Sequence, residues 1–120
     1  MEWTINNIGY YTNDKLHGIV IFGHAGPSKN LKNDDYFDPL VQIHDDYISS
    51  IPIVYIHGNG HRYRYYQPFN SNTMTALQVD QGAIASPLRV TFDPTVSINQ
   101  YSRYSRPNQG FMNFEFDRRL

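Results

Sequence analysis

The sequence predicts an α/β fold, a βαβ unit followed by a C-terminal antiparallel hairpin. Three observations carry this expectation. Two short apolar runs, residues 18–23 (GIVIFG) and 53–56 (IVYI), show no polar alternation, as expected of strands covered on both faces. A segment of helical periodicity lies between them. Two alternating segments, residues 76–80 (ALQVD) and 88–93 (LRVTFD), follow and suit strands with one buried face.

The elements follow in chain order. Residues 1–17 are polar and turn-rich, with Asn6, Asn7, Gly9, Asn13 and Asp14, and read as a lead-in loop. The first strand ends at Gly23 and gives way to a loop, HAGPSKNLKND. A helix is expected to begin near residues 33–35, where acidic and amide side chains can cap free backbone N–H groups. Pro39 is compatible only with its first turn. Phe37, Leu40, Val41, His44, Tyr47 and Ile48 fall at i, i+3, i+4 spacing and define its apolar face. Ser49, Ser50 and Pro52 end the helix, and the second strand stops at HGNGH.

Strand, helix and strand in this order imply a right-handed crossover and two parallel strands. Their carboxyl ends then share one edge of the sheet, where open α/β sheets place ligands. Residues 62–73 read as a polar-aromatic connection. The alternating pair reads as a hairpin, with Pro87 tolerated where the second strand opens. From about residue 95 the pattern dissolves into an irregular tail. The expected organisation is thus a lead-in at 1–17, a domain at 18–94 and a tail at 95–120.

Composition narrows the function. The chain has 120 residues, 10 Lys+Arg against 11 Asp+Glu and a net charge of −1. That balance argues against nucleic-acid binding by bulk charge. There is no cysteine, so disulfide scaffolds and thiolate metal sites are excluded. No apolar run approaches the length of a membrane span. The polar N-terminus lacks the apolar core of a secretory signal. Neither observation fixes a compartment.

The chemistry concentrates at the strand ends. Three of the five histidines, His24, His57 and His61, lie there. Neutral imidazole is the commonest transition-metal ligand, and Asn59 adds an amide oxygen. A single histidine at a strand end is more often an ordinary hydrogen-bonding residue. Two strands of one βαβ unit both ending in histidine turn the reading toward a metal or phosphate site. His57 and His61 stand at the i, i+4 spacing of helical metal pairs, but Gly58 and Gly60 oppose a helix there. His44, on the apolar side of the helix, reads as structural, and His17 has no functional case. The Arg62–Tyr66 stretch and residues 101–106 could stack bases or sugars; their plainer reading is a solvated edge.

VIFGHAGP resembles the strand-then-histidine element of calcineurin-like metallophosphoesterases. IPIVYIHGNGHRY resembles the Gly-His-x-His element of the same superfamily, and LQVDQG with PLRVTFD its closing hairpin. The trio keeps the family's order over about residues 17–94. The resemblance implies the second half of an αββα metallophosphoesterase sandwich. By position, His24 matches the isolated metal-binding histidine, Gly58 the motif glycine and His61 the second motif histidine.

Asn59 falls where the first motif histidine would stand, and an amide is a weaker ligand that cannot act as general acid or base. His57 lies outside the motif. The family's Asp-x-His, Gly-Asp-x-x-Asp and Gly-Asn-His-Asp/Glu elements do not occur in this sequence. The resemblance therefore implies the C-terminal part of a metal-dependent phosphoester hydrolase, incomplete or inactive alone. His24, Asn59 and His61 would be its metal positions, for Fe, Mn or Zn, and a phosphoester its substrate. The alternative is a non-catalytic binding or assembly module, whose uncovered face predicts self-association or pairing with a missing N-terminal half.

Overall fold

A computed structural model of the chain describes residues 2–12, 16–27, 36–82, 85, 87–95 and 108–118. The protein is a mixed α/β structure with two helices and two small sheets among these residues. Helix α1 spans Glu2–Thr12 and strand β1 Ile19–Phe22. Helix α2 spans Phe37–Tyr47 and β2 Ile53–His57. Then come β3 (Arg64–Tyr66), β4 (Met74–Gln78), β5 (Arg89–Phe92), β6 (Asn108–Phe111) and β7 (Phe114–Asp117).

The first sheet has the order β1-β2-β4-β3. β1 and β2 are parallel neighbours, with Ile19 opposite Ile53 and Phe22 opposite Ile56, as the two unalternating runs predict. β4 continues the parallel sheet beside β2, and β3 joins it antiparallel. The second sheet, β5-β7-β6, is antiparallel throughout.

Alternation along β2 and β4 builds a core on each face. Ile53, Tyr55, Met74 and Ala76 pack with Ile8 of α1 and Leu40 and Ile48 of the α2 region. Val54, Ile56 and Leu77 pack on Phe111, Phe114 and Phe116 of the second sheet. The layers are therefore helices, mixed sheet, antiparallel sheet. Phe114 and Phe116 are almost fully buried, each contributing roughly 1.5–3 kcal/mol of apolar burial.

Several expectations are corrected. The lead-in contains α1, because Thr4 and Ile8, one helical turn apart, both find cover, and tertiary burial outweighs the weak propensity of Asn and Gly. The expected hairpin does not form. β4 lies inside the parallel sheet, with Met74, Thr75, Ala76 and Leu77 all buried, while β5 pairs with β7 in the other sheet. The polar-aromatic connection contains β3. The tail, read as irregular, supplies β6 and β7.

The expected helix start at residues 33–35 lies outside the described residues, as do residues 96–107. Pro39 does sit in the first turn of α2. Tyr47, placed on the apolar face, is instead exposed at the helix end. His44 is structural: fully buried, its Nε2 lies 2.8 Å from the Ile51 carbonyl and 3.1 Å from the Thr73 hydroxyl. No helix among the described residues is long and apolar enough to cross a membrane.

Candidate functional site

Parallel pairing brings the loops after β1 and β2 to one edge of the first sheet. The ladder continues past β1, since the Gly23 N–H donates to the Ile56 carbonyl at 3.0 Å. β4 ends beside β2, with His57 opposite Gln78, and β3 begins there, with Arg64 opposite Gln78. In-register residues share a face. His57, Gln78 and Arg64 thus form a polar row at the carboxyl edge, on the helix side. One pleat inward lies the row Tyr55, Ala76 and Tyr66.

These rows hold the two loops in place. The Tyr55 hydroxyl donates to the Ala25 carbonyl at 2.7 Å. The Tyr66 hydroxyl lies 2.7 Å from His57 Nε2 and 3.1 Å from the Pro27 carbonyl. Gly26 rests on the imidazole of His57, where a Cβ would collide with the ring. On the other loop, Gly60 lies against the Gln78 amide, which donates to the Arg62 carbonyl at 2.7 Å.

His57 is the centre of this arrangement. It is 3% exposed, and its Nδ1 lies 2.7 Å from Asn59 Oδ1. An amide oxygen only accepts, so Nδ1 carries the hydrogen. In the neutral ring Nε2 then accepts from Tyr66. The Tyr66 hydroxyl has one hydrogen and serves either Nε2 or the Pro27 carbonyl at a given moment. Burial lowers the His57 pKa from its ordinary 6.5; the Asn59 hydrogen bond opposes this and the charge of Arg64 adds to it. Burial also raises the Tyr66 hydroxyl, against the pull of Arg64, whose guanidinium sits 4.1 Å over the Tyr66 ring.

The expected ligand residues occupy this edge in different states. His24 and His61 are both exposed on the loops after β1 and β2. His61 has a positive φ of 58°, a region that histidine tolerates better than most residues but still enters rarely. Its N–H reaches back to the Gly58 carbonyl at 3.4 Å, so the loop turns tightly. Asn59 is also exposed, but its oxygen already accepts the His57 hydrogen. One acceptor site on that oxygen remains.

Placing His57 in the loop, as its glycine neighbours suggest, hides its role. It is the last residue of β2 and buried like the four before it. Its spacing of two from Tyr55 put both on one face, and that signal was present in the sequence.

The described part of this edge is poor in acid. Among residues 23–27, 57–66 and 78–82 the only carboxylate is Asp80. It is engaged by the Tyr63 N–H at 3.0 Å and by Arg118 at 3.3 Å. Among the described residues no three His, Asp or Glu side chains gather as a metal-holding group. Two imidazoles and one shared amide oxygen, beside Arg62 and Arg64, do not by themselves fit a complete Fe, Mn or Zn shell. What the edge offers is imidazole nitrogens and the positive charge of Arg62 and Arg64 for an oxyanion. Neither family models, curated proteins nor solved structures give a match to this chain.

Proposed function

We propose that this edge is one side of a metal-dependent phosphoester hydrolase site. His24, Asn59 and His61 are its metal-facing positions, and Arg62 and Arg64 attract the phosphate. The observation that carries the reading is the parallel pairing of β1 and β2, which sets the loops of His24 and His61 on a common edge. The order of motifs resembling the second half of a calcineurin-like metallophosphoesterase supports it. Because His24, Asn59 and His61 are too few donors for a full shell among the described residues, the remaining ligands, carboxylates above all, would come from outside them. His57 holds the Asn59 amide and the residue 23–27 loop in one arrangement, as outer partners of metal ligands do.

The test uses the purified chain with Zn²⁺ or Mn²⁺. Calorimetry should show weak binding that is lost in both His24→Ala and His61→Ala and kept in His17→Ala. Hydrolysis of p-nitrophenyl phosphate should be slow or undetectable with the chain alone. Binding that persists in the His24/His61 double variant would overturn the assignment.

A further inference from the structure

β1 is an outer strand of the first sheet. Ile19 and Gly23 donate to the Pro52 and Ile56 carbonyls of the neighbouring chain segment at 2.9 and 3.0 Å. Residues 19, 21 and 23 therefore face β2. In a parallel strand the N–H and C=O of one residue point the same way, so Val20 and Phe22 direct both groups outward. Among the described residues, nothing pairs with that side.

Beyond it lies a cavity of about 490 Å³. One wall is residues 18–22 and the other is Trp3, Thr4, Asn7 and Ile8 of α1. Phe22 and Trp3 flank it at 75% and 76% exposure. The run GIVIFG carries no charge and no proline, so neither of these blunts the edge.

We propose that the β1 edge joins two copies of this chain, antiparallel, about a two-fold axis at Ile21. Antiparallel strands exchange both backbone bonds between directly opposed residues at every second position. An axis at Ile21 sets Val20 opposite Phe22 of the second copy, and Phe22 opposite its Val20. The two outward-facing residues of each strand thus satisfy one another, and all four backbone donors find acceptors. The same pairing sets an aromatic ring beside a β-branched side chain twice, a favourable cross-strand combination. The pairing is self-complementary, as an isologous interface requires, and the two Val20–Phe22 contacts favour a second copy of this chain at the edge. A net charge of −1 per chain opposes the association little. The inference stands apart from the metal reading.

Sedimentation velocity of the full chain over a wide concentration range tests it. The chain should form a concentration-dependent dimer. Phe22→Lys, a change at an exposed side chain, should weaken the dimer at least about tenfold through an unpaired edge charge. Val20→Pro should abolish it by removing an outward N–H. Hydrogen exchange adds a residue-level readout. The Val20 and Phe22 amides should be slow in the dimer and fast in Phe22→Lys, while the Ile21 amide, facing β2, stays slow in both. A monomer at every concentration, a dimer unaffected by Phe22→Lys, or a dimer with fast Val20 and Phe22 amides overturns the proposal.

Discussion

Removing one oxygen, Tyr66→Phe, tests how the carboxyl edge is held together. The hydroxyl lies 2.7 Å from Nε2 of His57 and 3.1 Å from the Pro27 carbonyl. Its loss leaves Nε2 without this partner in a side chain that is 3% exposed. An orphaned buried polar atom costs about 1–3 kcal/mol. The Pro27 contact is longer and shares the same hydrogen, so it adds little. The expected loss is about 2 kcal/mol, or roughly 6–10 °C in melting temperature for a domain of this size. Urea denaturation followed by circular dichroism measures it. In a His57→Phe background no buried nitrogen is orphaned and the hydroxyl keeps the Pro27 carbonyl. Tyr66→Phe should then cost only about 0.5 kcal/mol, a coupling of about 1–2 kcal/mol. A loss below about 0.5 kcal/mol in the parent, or equal losses in both backgrounds, would refute the linkage.

Other consequences follow from the same contacts. Burial lowers the His57 pKa below 6.5, so on acidification the unfolded chain takes up this proton first. The His57 contribution to stability is full above about pH 6.5, falls as pH drops below that value, and levels off once folded His57 protonates. Comparing urea midpoints of the parent and His57→Phe across this range should show a shallower acid loss in the variant. Gly26→Ala drives a Cβ into the His57 ring and should cost about 1–3 kcal/mol, with most of that cost relieved by a second change, His57→Ala. Phe116→Ala should destabilise by about 3–5 kcal/mol, because this fully buried ring joins the two sheets. A near-neutral result would mean that β7 is not part of the core.

The first part of the fold was legible because its signals were local. Residues 18–23 and 53–56 are apolar without alternation, and both became parallel strands of one sheet. Leu40, His44 and Ile48 kept helical spacing and are buried as read. The later strands were misassigned for identifiable reasons. Residues 76–80 alternate, but Met74 and Thr75 before them are buried too, so β4 belongs inside a two-sided sheet. The turn between β6 and β7 uses Met112 at a φ of 53° and Asn113. Without the glycine that usually marks such a turn, the hairpin left no sequence signal beyond the short alternation FEFD. Helix α1 left little signal because, among its described side chains, only Thr4 and Ile8 are buried, too sparse a stripe to announce a period.

The candidate site was legible as an edge and misread in its interior. Parallel strands were enough to place the loops of His24 and His61 together, and β1–β2 pairing does so. The spacing of two from Tyr55 marks His57 as the end of β2, but its partners leave no local signal. Its partners, Asn59 and Tyr66, approach from a tight turn and from β3, a strand whose sequence looks like a polar-aromatic connection. Long-range tyrosine contacts of this kind have no periodic signature.

The proposed function requires that His24, Asn59 and His61 face one metal-binding edge. Paramagnetic broadening by Mn²⁺ in amide-resolved NMR spectra of the full chain tests it most directly. Selective loss of signal is expected for residues 23–26 and 58–62, with His17 and His44 unaffected, and recovery in His24→Ala/His61→Ala. Broadening centred elsewhere, or unchanged by that double variant, would contradict it.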